Sequence, residues 1–142
     1  MKIQMIFAVL AVLIMIGFFA TIVIQNIDAR KDPTYASAKY FIDNDETNKH
    51  SYDEDIYDCH HFSIDVRYNA SLVDIKCAYV LLTFEGVALG ENHAIISFDT
   101  TDKGMIFFEP QTDEEVDCMV GGYYVLPTGS FKIIDIQYFW EV

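Results

Sequence analysis

Apolar and polar positions alternate along this chain in three distinct ways. The first is a continuous apolar run, Met5 to Ile24, with no charge and only Gly17 and Thr21 as interruptions. Twenty helical residues rise about 30 Å, the hydrocarbon thickness of a bilayer. The run is longer than a typical signal-peptide core, and no small-x-small site ends it. Residues 1–27 are therefore expected to form a membrane anchor or signal segment, with a retained single-pass helix as the first reading. Arg30, Lys31 and Lys39 follow the run, against Lys2 and the amino terminus before it. A positive-inside count would place the rest of the chain in the cytoplasm. The short tail before the run favours the extracytoplasmic side of the cell membrane, which is the expected location.

The second pattern, residues 28–55, is polar and rich in turn formers. It contains Asp32-Pro33, Asp43-Asn44-Asp45-Glu46-Thr47-Asn48 and Asp53-Glu54-Asp55. It reads as an acidic linker, in which Tyr35 to Ile42 has enough apolar residues for a short helix that could dock on the domain. None of these clusters has the twelve-residue calcium loop with central Gly and terminal Glu.

Regular periodicity fills residues 56–142, the expected domain. Cys59, Phe62, Val66, Ala70 and Val73 recur at three- and four-residue intervals, one buried face of a helix. Asp58 can cap its start, and Asn69 to Asp74 supplies its exit. Strands are expected at Lys76–Phe84, Ala94–Phe98, Met105–Glu109, Met119–Leu126 and Phe131–Trp140, separated by turn formers. One helix before five strands joined mostly by short turns gives an α+β class with a mainly antiparallel sheet.

Charge narrows the function classes. All 22 Asp and Glu follow position 24, with eight of the nine Lys and Arg, and the whole chain carries −13. Such a surface lacks the basic face that a phosphate backbone needs, so nucleic acid is excluded as the main partner. Eleven Phe and nine Tyr exclude a disordered acidic tail.

Three cysteines are an odd number, so in an oxidising compartment one thiol is left over. Cys59 stands at the expected helix start, where free backbone N–H groups and the helix dipole favour thiolate and could hold an oxyanion. The alternative is a small apolar packing residue. His93 and Glu109 bear on the choice. A hairpin turn centred on Thr101 sets the index sum of opposed residues at 202, which pairs His93 with Glu109 on one face. Thiol, imidazole and orienting carboxylate are the parts of a nucleophilic triad. Cys77 and Cys118 could form a disulfide or remain buried thiols. Cys59-His60-His61 lacks the ligand spacing of a zinc site. Asn69-Ala70-Ser71 matches a glycosylation pattern that one chain of this length meets by chance. Gly121-Gly122 reads as a bend rather than a nucleotide loop. No cofactor and no metal are expected.

The order of these features resembles the transglutaminase-like superfamily of papain-type cysteine enzymes. The resemblance rests on helix-opening Cys59, then Asp74 to Val80, then His93-Ala94 opening a strand, then Gly104 to Phe108 leading into Glu109-Pro110-Gln111-Thr112. It covers Tyr57 to Tyr123, about half the chain. Ile95 stands where an aromatic residue often follows the His-Ala pair, and Glu109 where the family usually has Asp. The resemblance implies a small transglutaminase-like domain with the nucleophile helix on the sheet. It implies a membrane-anchored hydrolase, peptidase or acyltransferase acting on a peptide or protein amide, with Cys59, His93 and Glu109 catalytic. The alternative is a catalytically inactive membrane-tethered binding module of the same fold.

Overall fold

The structure, a computed structural model, describes residues 30–86 and 92–140. The apolar run at 5–24 and its expected transmembrane helix lie outside the described residues. Among those described, no helix is long and apolar enough to cross a membrane.

Among the described residues, two helices precede the strands. Helix α1 (Tyr35–Asn44) starts where the Thr34 hydroxyl accepts the Ser37 N–H, and it buries Ala38 and Ile42. A 3-10 turn at Thr47–Lys49 follows. Helix α2 (Cys59–Leu72) opens on a reciprocal cap. Asp58 accepts the N–H groups of His60 and His61 at 3.0 and 3.2 Å, while the His61 ring accepts the Asp58 N–H. The helix ends at Val73, and Asp74 turns the chain with φ of 59°. Its inner face is Cys59, Phe62, Ser63, Val66 and Ala70.

Six strands follow: β1 (Ala78–Phe84), β2 (His93–Thr100), β3 (Gly104–Glu109), β4 (Glu114–Val116), β5 (Tyr123–Leu126) and β6 (Gly129–Phe139). They form one sheet in the order β4-β3-β2-β1-β6-β5, antiparallel at every pairing. A register break between Thr83 and Phe84 bends β1 against the eleven-residue β6, as a bulge does by adding local twist. β2 lies centrally and is buried at every position except Asp99. Its successive side chains enter two different cores. Ile96 and Phe98 join Ala38, Ile42, Val66, Ala70 and Phe108 under the helices. Ile95 joins Val80, Leu82, Phe107, Tyr124 and Ile133 on the opposite face.

This architecture corrects the expected transglutaminase-like or papain-like domain. The described residues build a curled antiparallel sheet with two short helices on one face. The expectation rested on the order of short motifs, which constrains spacing along the chain and not the set of strands around it. The docking helix expected at Tyr35 to Ile42 is α1, whose Ala38 and Ile42 bury against Val66 and Ala70 of α2 and Ile96 and Phe98 of the sheet. Strand bounds also move. Met119–Gly122 is a turn, so β5 begins at Tyr123, and the short acidic β4 adds an edge strand. Glu114 and Glu115 on that edge discourage pairing with another chain.

Candidate functional site

The hairpin of β2 and β3 fixes two of the three candidate residues. Its register pairs Ile96 with Phe108 and Thr100 with Gly104, an index sum of 204 rather than 202. The turn is centred on Asp102, one residue later than the sequence reading put it. A shift of two in the sum preserves parity, so His93 and Glu109 keep the same face and meet diagonally. His93 Nε2 and Glu109 Oε2 are 2.6 Å apart.

A fourth residue, absent from the sequence reading of the site, completes this pair. Tyr124 of β5 donates its hydroxyl to Glu109 Oε2 at 2.7 Å and sets its ring against His93, with centroids 5.3 Å apart. The Gln111 N–H donates to the other carboxylate oxygen at 3.3 Å. Tyr124 is buried while its neighbours Tyr123 and Val125 are exposed, an alternation that the sequence Tyr-Tyr-Val-Leu does not show.

Cys59 reaches the pair from α2. The Cys59 thiol lies close enough to His93 to act on the ionisation of its ring, so the three candidate residues are neighbours. Burial lowers the His93 pKa, but Cys59 and Glu109 outweigh it and raise the imidazole to about 9. Burial pushes the Glu109 carboxyl up; the His93 hydrogen bond and charge, with Tyr124 and Gln111, hold it below the usual carboxylate range. Burial, then the Glu109 charge, raise the Tyr124 phenol, so it stays a donor. Cys59 and His93 are both buried, at 9% and 6% exposure, and only Cys59 lines the adjoining cleft.

That cleft has a volume of about 480 Å³. Cys59 and His60 lie at its floor, Phe84, Leu126 and Phe131 form an apolar wall, and Tyr52, Glu54, Asn92 and Thr128 complete the rim. The Asp58 carboxylate takes the N–H groups of His60 and His61, not that of Cys59. His60 also pairs through Nδ1 with the Tyr79 hydroxyl, their rings stacked, which anchors the residue after the thiol to β1.

The other two cysteines are free thiols. Cys77 belongs to the core beneath the helices, and Cys118 packs against the core on the other face. The sheet separates them, which settles the alternative left open by the sequence against a disulfide. Burial raises both thiols: Cys77 far above the usual range, and Cys118, with help from Asp117, to about 12.

No family model and no curated protein matches the chain. Among solved structures it is similar to Polyporus squamosus lectin bound to the human-type influenza-binding epitope Neu5Aca2-6Galb1-4GlcNAc. The two share 14% identity and a TM-score of 0.51, over 61% of this chain and 34% of that one. A second neighbour, the PSL1a-E64 complex, has 13% identity and a TM-score of 0.48, over 68% and 42% of the two chains. The chain thus spans about a third of the lectin's length. These findings overturn the transglutaminase-like assignment. No family model supports it, and the fold is shared with a lectin chain. The membrane-anchored cysteine hydrolase, peptidase or acyltransferase is withdrawn with it, as is the inference of a peptide or protein amide substrate.

Proposed function

We propose that this domain is a binding module whose cleft holds a nucleophilic thiol. The supporting observation is the hydrogen-bonded His93–Glu109 pair set beside Cys59, whose thiol lines the cleft. Cys59 Sγ forms a bond to an electrophilic carbon of the bound ligand, such as a carbonyl carbon. The π electrons of that carbon pass to its oxygen. The sulfur attacks as thiolate, and the proton that the His93 imidazolium holds toward Cys59 passes to that oxygen, leaving a reversible covalent adduct. Glu109, held by Tyr124 and Gln111, orients the ring and offsets the imidazolium charge.

Iodoacetamide competition read by mass spectrometry tests this. Near neutral pH, Cys59 reacts at least about tenfold faster than Cys118, and His93→Ala removes most of that advantage. Equal rates at Cys59 and Cys118 in the folded protein would overturn the proposal.

A second reading is non-covalent carbohydrate binding in the same cleft. Its support is the mixture of aromatic faces (Tyr52, Phe84, Phe131) with polar Asn92, Thr128 and Glu54, beside a fold shared with a lectin described with a bound epitope. Binding on a glycan array that survives Cys59→Ala would favour this reading.

A further inference from the structure

The cleft around Cys59 is electrically lopsided. Its lining includes the carboxylates of Glu54 and Asp58 and, among the described residues, no Lys or Arg. Asp53 and Asp55 stand in the same segment. The Tyr52 phenol registers this crowding: its pKa is raised by burial first, then by Cys59, Glu54, Asp58 and Asp53. These groups therefore act together at one rim of the cleft. Beside it, among the described residues, the His93 imidazolium is buried and compensated by Glu109, so it projects little positive field outward. Three aromatic rings, Tyr52, Phe84 and Phe131, offer faces that attract a cation in addition to apolar contact.

We infer that the cleft selects ligands bearing a positive charge, an ammonium or guanidinium group placed beside the carbon that Cys59 attacks. The inference rests on the nucleophilic-thiol reading and names its substrate class. The cation sits between the Glu54 carboxylate and the aromatic wall, while the electrophile faces the floor. An anionic ligand meets two carboxylates with no compensating cation and is excluded. Focusing of field by a low-dielectric cleft makes this discrimination larger than the overall acidity of the chain would give.

Charged methanethiosulfonates test the inference on the whole folded protein. The thiolate forms an S–S bond with the sulfenyl sulfur, the S–SO₂ bond breaks, and methanesulfinate leaves with the electron pair. The probes are the cationic trimethylammonium-ethyl reagent and the anionic sulfonato-ethyl reagent, with modification located by mass spectrometry. The cation-to-anion rate ratio at Cys59 should exceed that of N-acetylcysteinamide free in solution by about tenfold, because the free thiol has no cleft around it. Glu54→Gln should lower the ratio at Cys59 about threefold and leave that at Cys118 unchanged. Salt at about 1 M should shrink the preference. A ratio at Cys59 no higher than that of the free thiol, or one indifferent to Glu54→Gln, would overturn the inference. Neutral iodoacetamide reports separately: fast modification of Cys59 without charge preference sinks only the inference, and slow modification sinks the thiol reading beneath it.

Discussion

His93 is a basic side chain placed where burial should strip its proton, and it keeps that proton because two acidic partners face it. Its raised pKa has a stability consequence of definite sign. A histidine whose folded pKa lies above its unfolded value contributes stability that is complete below about pH 6.5. That contribution is lost as pH rises through about 9. Urea midpoints should therefore fall between about pH 7 and pH 9.5, by the equivalent of roughly 2–3 kcal/mol at most. His93→Gln should flatten that slope. The depressed Glu109 pKa describes the same pair from its other end, so the two shifts are not added. Its own loss of stability comes as pH falls through the lowered carboxyl value. Tyr124→Phe removes one donor to a buried carboxylate and should cost about 1–3 kcal/mol, measured by denaturant unfolding. Cys59 alkylation should respond less to that change than to His93→Ala, because Tyr124 acts through Glu109.

At the scale of single elements, the start of α2 carries the site. The Asp58 cap fixes the first turn, and the first turn fixes Cys59. Asp58→Ala should destabilise the protein by about 1 kcal/mol, as loss of a helix cap does, and should slow Cys59 alkylation because the first turn frays. A normal alkylation rate in that variant would show that His93 alone holds the thiol. This helix was legible in the sequence, from the acid at its cap to the three- and four-residue spacing of Phe62, Val66 and Ala70. The face shared by His93 and Glu109 was legible too, because parity survives an error of two in the index sum. The exact register was not. Which residue of Thr100 to Gly104 centres the turn depends on local contacts, such as the Thr100 hydroxyl that donates to the Gly104 carbonyl and accepts the Lys103 N–H. Tyr124 escaped notice for a different reason. Its strand lies three positions beyond β2 in the sheet, beside β6, and no local pattern reveals such a neighbour. The family resemblance misled because short motifs in the right order constrain spacing along the chain, not the set of strands around them.

The whole molecule is a sheet with a core on each side. β2 supplies side chains to both, so damage to it should propagate to both. Phe98→Ala, fully buried beneath the helices, should cost about 3–5 kcal/mol. A thermal-shift scan checks this, and near-silence would mean that the helical layer contributes little to stability. The sheet interrupts direct contact between Cys77 and Cys118, and oxidants that join exposed thiols should leave this pair uncoupled. The strong negative charge of the chain implies self-repulsion in the compact state. Raising ionic strength to about 0.15 M should therefore raise the melting temperature modestly.

The diagonal meeting of His93 and Glu109 has a temporal side. These two residues are 16 positions apart on one hairpin, so their contact needs only a short loop to close, an event of microseconds. Cys59 stands on a helix that must dock across the sheet before its thiol finds the ring. Tyr124 arrives only when β6 has paired with β1 and carried β5 to its place, and such non-local pairing is slow. During refolding the imidazole–carboxylate couple would thus precede the thiol. A pulse of alkylating reagent along the refolding time course would then follow the docking of α2 as a clock distinct from strand pairing.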